Sequence, residues 1–351
     1  MTDGHLAVDS GGSGLRVAVG ARGGGAPVLR ISREPVRTGA RGLDPGHLMA
    51  QLGPLARAAA AAAGVDRITV AAVGAAGLAT LGDALRAELP GALARELGVR
   101  TVALAADAVT AYAGALGRRP GAVVAAGTGV IAVGTDLLHW RRADGWGHLL
   151  GDCGSGAWIG RAGLEAALRA YDGRAGGSAP LLARATKRFG PVPGLPGALY
   201  PRTDRAAVLA SFAPDVASCA AGDTDSAAGG AADGAADGAA DGGTNSGTGG
   251  DPVAVGILRA AARHLADSAA AVVPDDPGAR VAVTGGLLRL GDALTGPLEE
   301  ELARRLPGVR RVPAEGDPLD GAVRIATGLA DGSPALPAAP GMLWVTTSGG
   351  G

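Results

Sequence analysis

Short apolar runs punctuated by glycine alternate along this chain with longer stretches in which apolar residues recur every three to four positions. Leu6-Ala7-Val8, the turn Asp9-Ser10-Gly11-Gly12-Ser13-Gly14 and residues 15–19 read as strand, glycine-rich turn and strand, a hairpin. Residues 48–63 and 81–97 are helical in period, 68–73 and 101–105 are strands, and Asp107 opens a helix reaching about Leu116. Beyond the boundary predicted at 117–121, the opening theme returns: strand 122–125, turn Ala126-Gly127-Thr128-Gly129, strand 130–133. Two such units, each followed by alternating strands and helices, predict an α/β fold built from a duplicated domain.

Order resumes late in the chain at Asp251-Pro252, an N-cap with proline in the first helical turn. Leu258, Ala261, Ala262 and Leu265 then keep one apolar face. Residues 281–284 form a strand feeding Gly285-Gly286 and a further helix, and Asp317-Pro318 starts a helix with Ala322, Ile325, Ala326 and Leu329 on one side. Residues 220–250 carry Ala-Ala-Asp-Gly three times among Gly, Ser and Thr. That is too little apolar surface to offset ordering, so a flexible insertion is expected. The period of four, with no recurring apolar position, does not match a calcium-binding nonapeptide array. The Pro- and Gly-rich residues 332–351 read as a loose tail.

Composition narrows the function classes. Lys+Arg 32 against Asp+Glu 33 gives a formal net charge of -1, and the arginine pairs are scattered, which argues against nucleic acid as a partner. Cys153 and Cys219 are too few for a disulfide framework or a four-cysteine metal site. The first residues lack a basic and apolar leader pattern, and the apolar stretch 122–133 is too short for a bilayer. A cytoplasmic protein without a membrane segment is the expectation.

The candidate chemistry sits in the glycine-rich turns. Asp9-Ser-Gly11-Gly12-Ser13-Gly14 offers backbone amides to phosphate, with Asp9 able to hold Mg2+ through water; an ordinary tight hairpin uses the same residues. Gly127-Thr128-Gly129 repeats that chemistry with a hydroxyl added. Asp107 reads either as a helix N-cap or as a general base aligning an acceptor hydroxyl for phosphoryl transfer. The densest signal is 145–160, Gly-Trp146-Gly147-His-Leu-Leu-Gly-Asp152-Cys-Gly-Ser155-Gly-Ala-Trp-Ile-Gly. Asp152 could accept from paired sugar hydroxyls and Trp146 could face a pyranose. Alternatively Asp152 and Ser155 cap a helix, with Trp158 in the core. Gly285-Gly286 would let adenine and ribose lie on backbone, or simply makes a tight turn.

These motifs, in this order, resemble the N-acetylglucosamine kinases of the BadF/BadG/BcrA/BcrD group, within the actin/hexokinase/Hsp70-like ATPase superfamily. The resemblance covers roughly residues 5–170 and 253–330. It implies two ribonuclease-H-like domains, 1–117 and 118–316, closing on a cleft, with a C-terminal helix near 317–331 returning to the first. It further implies an ATP- and Mg2+-dependent amino-sugar kinase acting most naturally at O6, and a homodimer. Asp107 would be the base, and Trp146, Gly147, Asp152 and Ser155 the sugar pocket. Gly11, Gly12, Ser13, Gly127, Thr128 and Gly129 would take phosphates, Gly285 and Gly286 the adenosine, and Asp9 the metal. Glucosamine or N-acetylmuramic acid are the alternative sugars. A sugar sensor on the same scaffold and an iron–sulfur dehydratase activator are the alternative classes, the latter disfavoured by the cysteine positions. In this chain Cys153 stands where relatives commonly carry glutamate, and residues 36–42 contain no asparagine.

Overall fold

The computed structural model describes residues 1–12, 14–39, 42–78, 82–223, 249–333 and 336–347. Ser13 and residues 224–248 of the expected insertion lie outside them. The described flanks of that segment meet, since the Asp251 N–H donates to Cys219 O at 2.8 Å.

Two sheets organise the chain. β1 (Asp3–Gly11), β2 (Gly14–Ala21) and β3 (Val28–Ser32) form an antiparallel meander. β4 (Thr38–Gly39) and β5 (Gly42–Leu43) pair by themselves as a small ladder. β6 (Arg67–Ala75) then adds parallel to β1, and β7 (Thr101–Ala106) parallel to β6. The second sheet repeats this plan. β8 (Gly121–Ala126), β9 (Val130–Thr135) and β10 (Trp140–Asp144) are antiparallel; β11 (Arg280–Thr284) joins parallel to β8, and β12 (Arg310–Arg311) parallel to β11. Spatial orders 3-2-1-6-7 and 10-9-8-11-12 are the same topology written twice. This is the two-sheet α/β architecture of actin-like ATPases.

Helix positions follow from local signals. Asp44, Asp251 and Asp317 each precede a proline and cap a helix with their side chains, over Pro45–Ala63, Pro252–Val272 and Pro318–Ala330. The first packs with Asp83–Leu97 on one face of the first sheet, where Leu48, Leu52, Leu85, Leu89 and Leu93 are buried against Leu6, Val8 and Val17. The second packs with Gly156–Tyr171 on one face of the second sheet. Between the sheets lies Asp107–Leu116, which contacts strands of both and carries the shared cluster of Val109, Tyr112, Val123, Val133 and Ala282. Pro318–Ala330 packs on Asp107–Leu116, β1 and β6. Gly114 and Gly321 allow that crossing: a Cβ on Gly321 would lie 1.9 Å from Thr110 O, and one on Gly114 would lie 2.0 Å from Asp317 O.

The expected loose tail is a correction. Leu343–Thr347 forms β13, antiparallel to β7 at the edge of the first sheet, and Leu336, Met342 and Leu343 are buried. The run Leu-Trp-Val-Thr-Thr carries strand-forming residues, and the surrounding prolines and glycines set its limits rather than abolishing it. No described helix is long and apolar enough to cross a membrane.

Candidate active site

A cavity of about 460 Å³ lies where the two sheets converge on Asp107–Leu116. Asp107, Gly127, Thr128, Gly129, Gly147, Asp152 and Gly285 all line it, together with Arg142. Residues scattered over much of the sequence thus meet because each sits at the carboxyl end of a strand or in the turn after it. Cofactors and substrates collect at such positions in α/β sheets.

Asp107 follows β7 directly and is the first helical residue, not the N-cap; that position is Ala106, which makes no side-chain cap. Its Oδ1 accepts the Ala108 N–H at 2.9 Å. Burial pushes the Asp107 carboxyl above the ordinary range, the Ala108 N–H opposes this, nearby Asp9 adds to it, and Arg142 works against it. A carboxyl held in this way is a better base than an exposed one.

Asp152 is 8 % exposed. Its φ of 54° places it in the left-handed region that a non-glycine residue rarely occupies. The strain is held from two sides. Oδ1 accepts from Gly147 N–H at 3.0 Å, while Asp152 N–H and Cys153 N–H donate to the two Asp144 oxygens at 2.6 and 2.9 Å. Burial raises the Asp152 carboxyl as well, with Gly147 N–H opposing and Asp144 reinforcing. Asp144 and Arg142 are the residues that sequence reasoning missed. The Arg142 guanidinium donates to Asp144 O at 3.2 Å and Gly145 O at 2.6 Å, and its Cζ lies 4.8 Å from the Trp146 ring centroid. The sequence cue was a charge at the end of a strand entering the glycine-rich loop, hidden among other arginine pairs.

Several expected residues lie elsewhere. Trp146 is 64 % exposed and does not line the cavity; Arg142 lies on one face of its ring. Ser155 is fully buried and spends its hydroxyl accepting Trp158 N–H as the N-cap of Gly156–Tyr171, so its expected place among the sugar residues is corrected to helix start. Trp158 packs partly buried against the core, edge-on to His264. In the Gly127–Gly129 turn, Gly127 N–H already donates to Gly129 O at 2.8 Å. The carbonyls of Gly127 and Thr128 accept from the helix start at 2.9 and 3.0 Å. That leaves the Thr128 hydroxyl and the remaining amides, rather than all three amides, to face the cavity. Gly285, at φ 107°, approaches Ala126 so closely that a Cβ would meet its carbonyl oxygen at 2.2 Å. Gly286 begins a 3-10 turn and is outside the lining, as are Gly11 and Gly12 at the tip of the β1–β2 hairpin.

Asp9 sits opposite Arg16 across that hairpin. Arg16 Nε and Nη2 donate to Asp9 Oδ2 at 3.0 and 2.6 Å, and Nη1 donates to Asp317 Oδ2. Both Arg16 contacts fall on Oδ2. Burial raises the Asp9 carboxyl and Arg16 opposes the rise. Magnesium keeps most of its water shell and is held by one or two carboxylates together with phosphate oxygens. Asp9 does not line the cavity, but its charge bears on Asp107, and a single carboxylate so placed fits that chemistry. A cage of three or more His, Cys, Asp or Glu side chains does not occur among the described residues.

The family model described as the BadF/BadG/BcrA/BcrD ATPase family matches residues 8–236. The chain belongs to this family. Among solved structures, a candidate N-acetylglucosamine kinase from Chromobacterium violaceum superposes with TM-score 0.67 at 26% identity, over 91% of this chain and 97% of that one. A similar protein from Porphyromonas gingivalis gives TM-score 0.65 at 16% identity, over 91% and 97%. A ROK family glucokinase from Streptomyces griseus, in complex with glucose and AMPPNP, gives 0.53 at 18%, over 92% and 98%. The latter two share the fold. Among curated proteins, an N-acetylmuramic acid/N-acetylglucosamine kinase of Clostridium acetobutylicum is 44% identical over 69 residues. Those are 19% of this chain, and the match spans only 22% of that protein's length.

Proposed function

We propose that this ATPase-family chain is an ATP-dependent amino-sugar kinase that phosphorylates N-acetylglucosamine or a related hexosamine, at O6. The observation that carries the reading is the placement of Asp107, with its raised carboxyl, in one cavity with Asp152 and the Gly127–Gly129 turn. The likeness to the Chromobacterium violaceum protein supports the choice of sugar class.

In this reading Asp152, held by the Gly147 amide, fixes the sugar hydroxyls, and the rigidity of that pair sets the distance from O6 to Asp107. Asp107 orients the hydroxyl and takes its proton as the O6–Pγ bond forms and the bond from Pγ to the β,γ-bridging oxygen breaks, releasing ADP. Phosphoryl transfer is largely dissociative, so alignment and late proton removal are the carboxylate's share. Thr128 and the neighbouring amides hold phosphate oxygens, and Gly285 gives the nucleoside a bare backbone. Arg142 supplies a cation in the same cavity. Magnesium, when bound, neutralises phosphate charge, and Asp9 would hold it through water.

The deciding experiment is coupled ADP release with N-acetylglucosamine, N-acetylmuramic acid, glucosamine and glucose, with NMR to locate the new phosphate. Asp107→Asn is expected to cut kcat by roughly 10²–10⁴ with ATP binding near normal. The acid limb of the kcat/KM profile should lie above the ordinary carboxylate range, with activity rising as Asp107 ionises. Sugar binding without ADP release, or an unchanged Asp107→Asn turnover, would remove the assignment.

A further inference from the structure

A second cavity, of about 830 Å³, lies behind the loop that carries Gly147 and Asp152. Its walls come from Gly156–Tyr171, the short helices Leu195–Leu199 and Arg205–Ala210, and the outer side of the loop. The body of the pocket is apolar, with Leu168, Leu195, Leu199 and Leu209 among its lining, and exposed Leu149, Tyr171 and Tyr200 at its rim. Volumes of roughly 300–1,000 Å³ with mostly apolar walls and few polar groups are typical of small-molecule sites.

The polar groups are not balanced. Of the charged side chains lining it, Arg174 is paired with Asp172, Glu165 with Arg169, and Arg205 donates to the Tyr200 and Arg202 carbonyls. Arg161 makes no ion pair or hydrogen bond among the described residues, and its field reaches as far as Cys153. Beside the same cavity, His148 Nε2 is buried without a hydrogen-bond partner. That nitrogen is sealed from solvent and does not open onto the cavity. Arg161, an exposed cation with no protein partner among the described residues at the edge of an otherwise apolar cavity, is complementary to one acidic head group.

No residue lines both this cavity and the one holding Asp107. The loop is their common wall: Gly147 faces one, His148 and Leu149 the other. It is also a strained wall, with Asp144, Gly145, Gly147 and Asp152 all at positive φ. We infer that the cavity behind the loop is a separate ligand site for an organic anion with an apolar body, its acid on Arg161 and its body along the Leu168–Leu209 wall. Its occupancy alters the fit of the sugar. The coupling clause rests on the sugar reading of Asp152; the binding clause does not.

The test uses the full chain and the aromatic sulfonate 8-anilinonaphthalene-1-sulfonate as probe, followed by fluorescence. Saturable binding at one site is expected. Arg161→Ala, which removes the cation, and Leu168→Trp, which fills the cavity, should each weaken it at least tenfold while thermal melting stays near that of the parent. Asp152→Asn should leave the titration unchanged, which separates this site from the kinase reading. The probe should also raise the sugar KM of the parent and fail to do so in Arg161→Ala. Probe binding that is insensitive to both Arg161→Ala and Leu168→Trp overturns the site, and a sugar KM indifferent to saturating probe overturns the coupling.

Discussion

The contact between Gly129 and Asp152 gives a sharp way to separate the two halves of the proposed site. A Cβ added at Gly129 would lie 2.4 Å from Asp152 Oδ2, and ordinary contact begins near 3.4 Å, so something must give by the difference of about 1 Å. Asp152 has little freedom to yield elsewhere, because Oδ1 is held by Gly147 N–H and its backbone is clamped on Asp144. The carboxylate itself must therefore move. Displacements near 1 Å in a positioning group cost about 10²-fold in turnover, which corresponds to about 2.7 kcal/mol of transition-state stabilisation. Gly129→Ala is thus expected to lower kcat/KM for the sugar by about two orders of magnitude, with the ATP KM changed far less. Gly127→Ala is the counterpart. A Cβ there meets nothing within 4 Å, so the fold tolerates it, yet it projects from a residue lining the cavity beside the Thr128 hydroxyl. That variant should raise the ATP KM and spare the sugar parameters. Initial-rate kinetics with each substrate varied in turn decide the matter. Sugar parameters unmoved by Gly129→Ala, or the two variants exchanging effects, would refute the division of labour.

Three further outcomes follow from packing. Gly321→Ala forces a Cβ to 1.9 Å from the Thr110 carbonyl; overpacking against backbone costs about 1–3 kcal/mol or more, read as a lower denaturant midpoint. His5 is buried, with Nε2 3.3 Å from Thr327 Oγ1 and Nδ1 unpartnered, and burial holds its pKa below the ordinary value while Asp331 opposes. The folded state therefore favours the neutral ring. That stability is present above the unfolded value near ~6.5 and declines as pH falls below it, and His5→Asn should flatten the pH dependence of the urea midpoint between pH values either side. Deleting residues 342–351 strips β13 from β7 and exposes a parallel-sheet edge. The buried Met342 and Leu343 are worth about 1.5–3 kcal/mol each, so a lower melting temperature and self-association in size-exclusion chromatography are expected.

Much of the architecture was readable because its signals are local. The paired strand–glycine–strand units, the Asp-Pro helix starts at 251 and 317, and the strand leading into Asp107 all announce themselves within a few residues. The third strand of each meander was not legible: β3 and β10 are five-residue edge strands, β3 turns Leu29 and Ile31 outward instead of into the core, and β10 is interrupted by Arg141 and Arg142. β13 was hidden for a different reason, since its pairing partner β7 lies more than two hundred residues earlier. In the site, Asp107, Asp152 and the turn glycines stood out by residue type and spacing. Asp144 and Arg142 could not, because their importance lies in backbone amides and carbonyls brought to them by a left-handed loop. Ser155 shows the converse failure. A hydroxyl inside a motif reads as ligand-facing until the helix it caps is seen.

The returning helix ties together two carboxylates at the same end of the first sheet, Asp9 near the end of β1 and Asp107 just after β7. Pro318–Ala330 crosses Asp107–Leu116 at the Gly114 and Gly321 contact, where backbone meets backbone and neither helix can slide without a clash. Asp107 is the first residue of one of these helices; Asp317 caps the other. Arg16 then joins Asp317 to Asp9 through a single guanidinium. Asp9 and Asp107 are close enough that each field bears on the site, and mutual repulsion between them contributes to the raised Asp107 carboxyl. Pro318–Ala330 packs on the first sheet and on the Asp107 helix, so the Arg16 fork and Asp107 share one support.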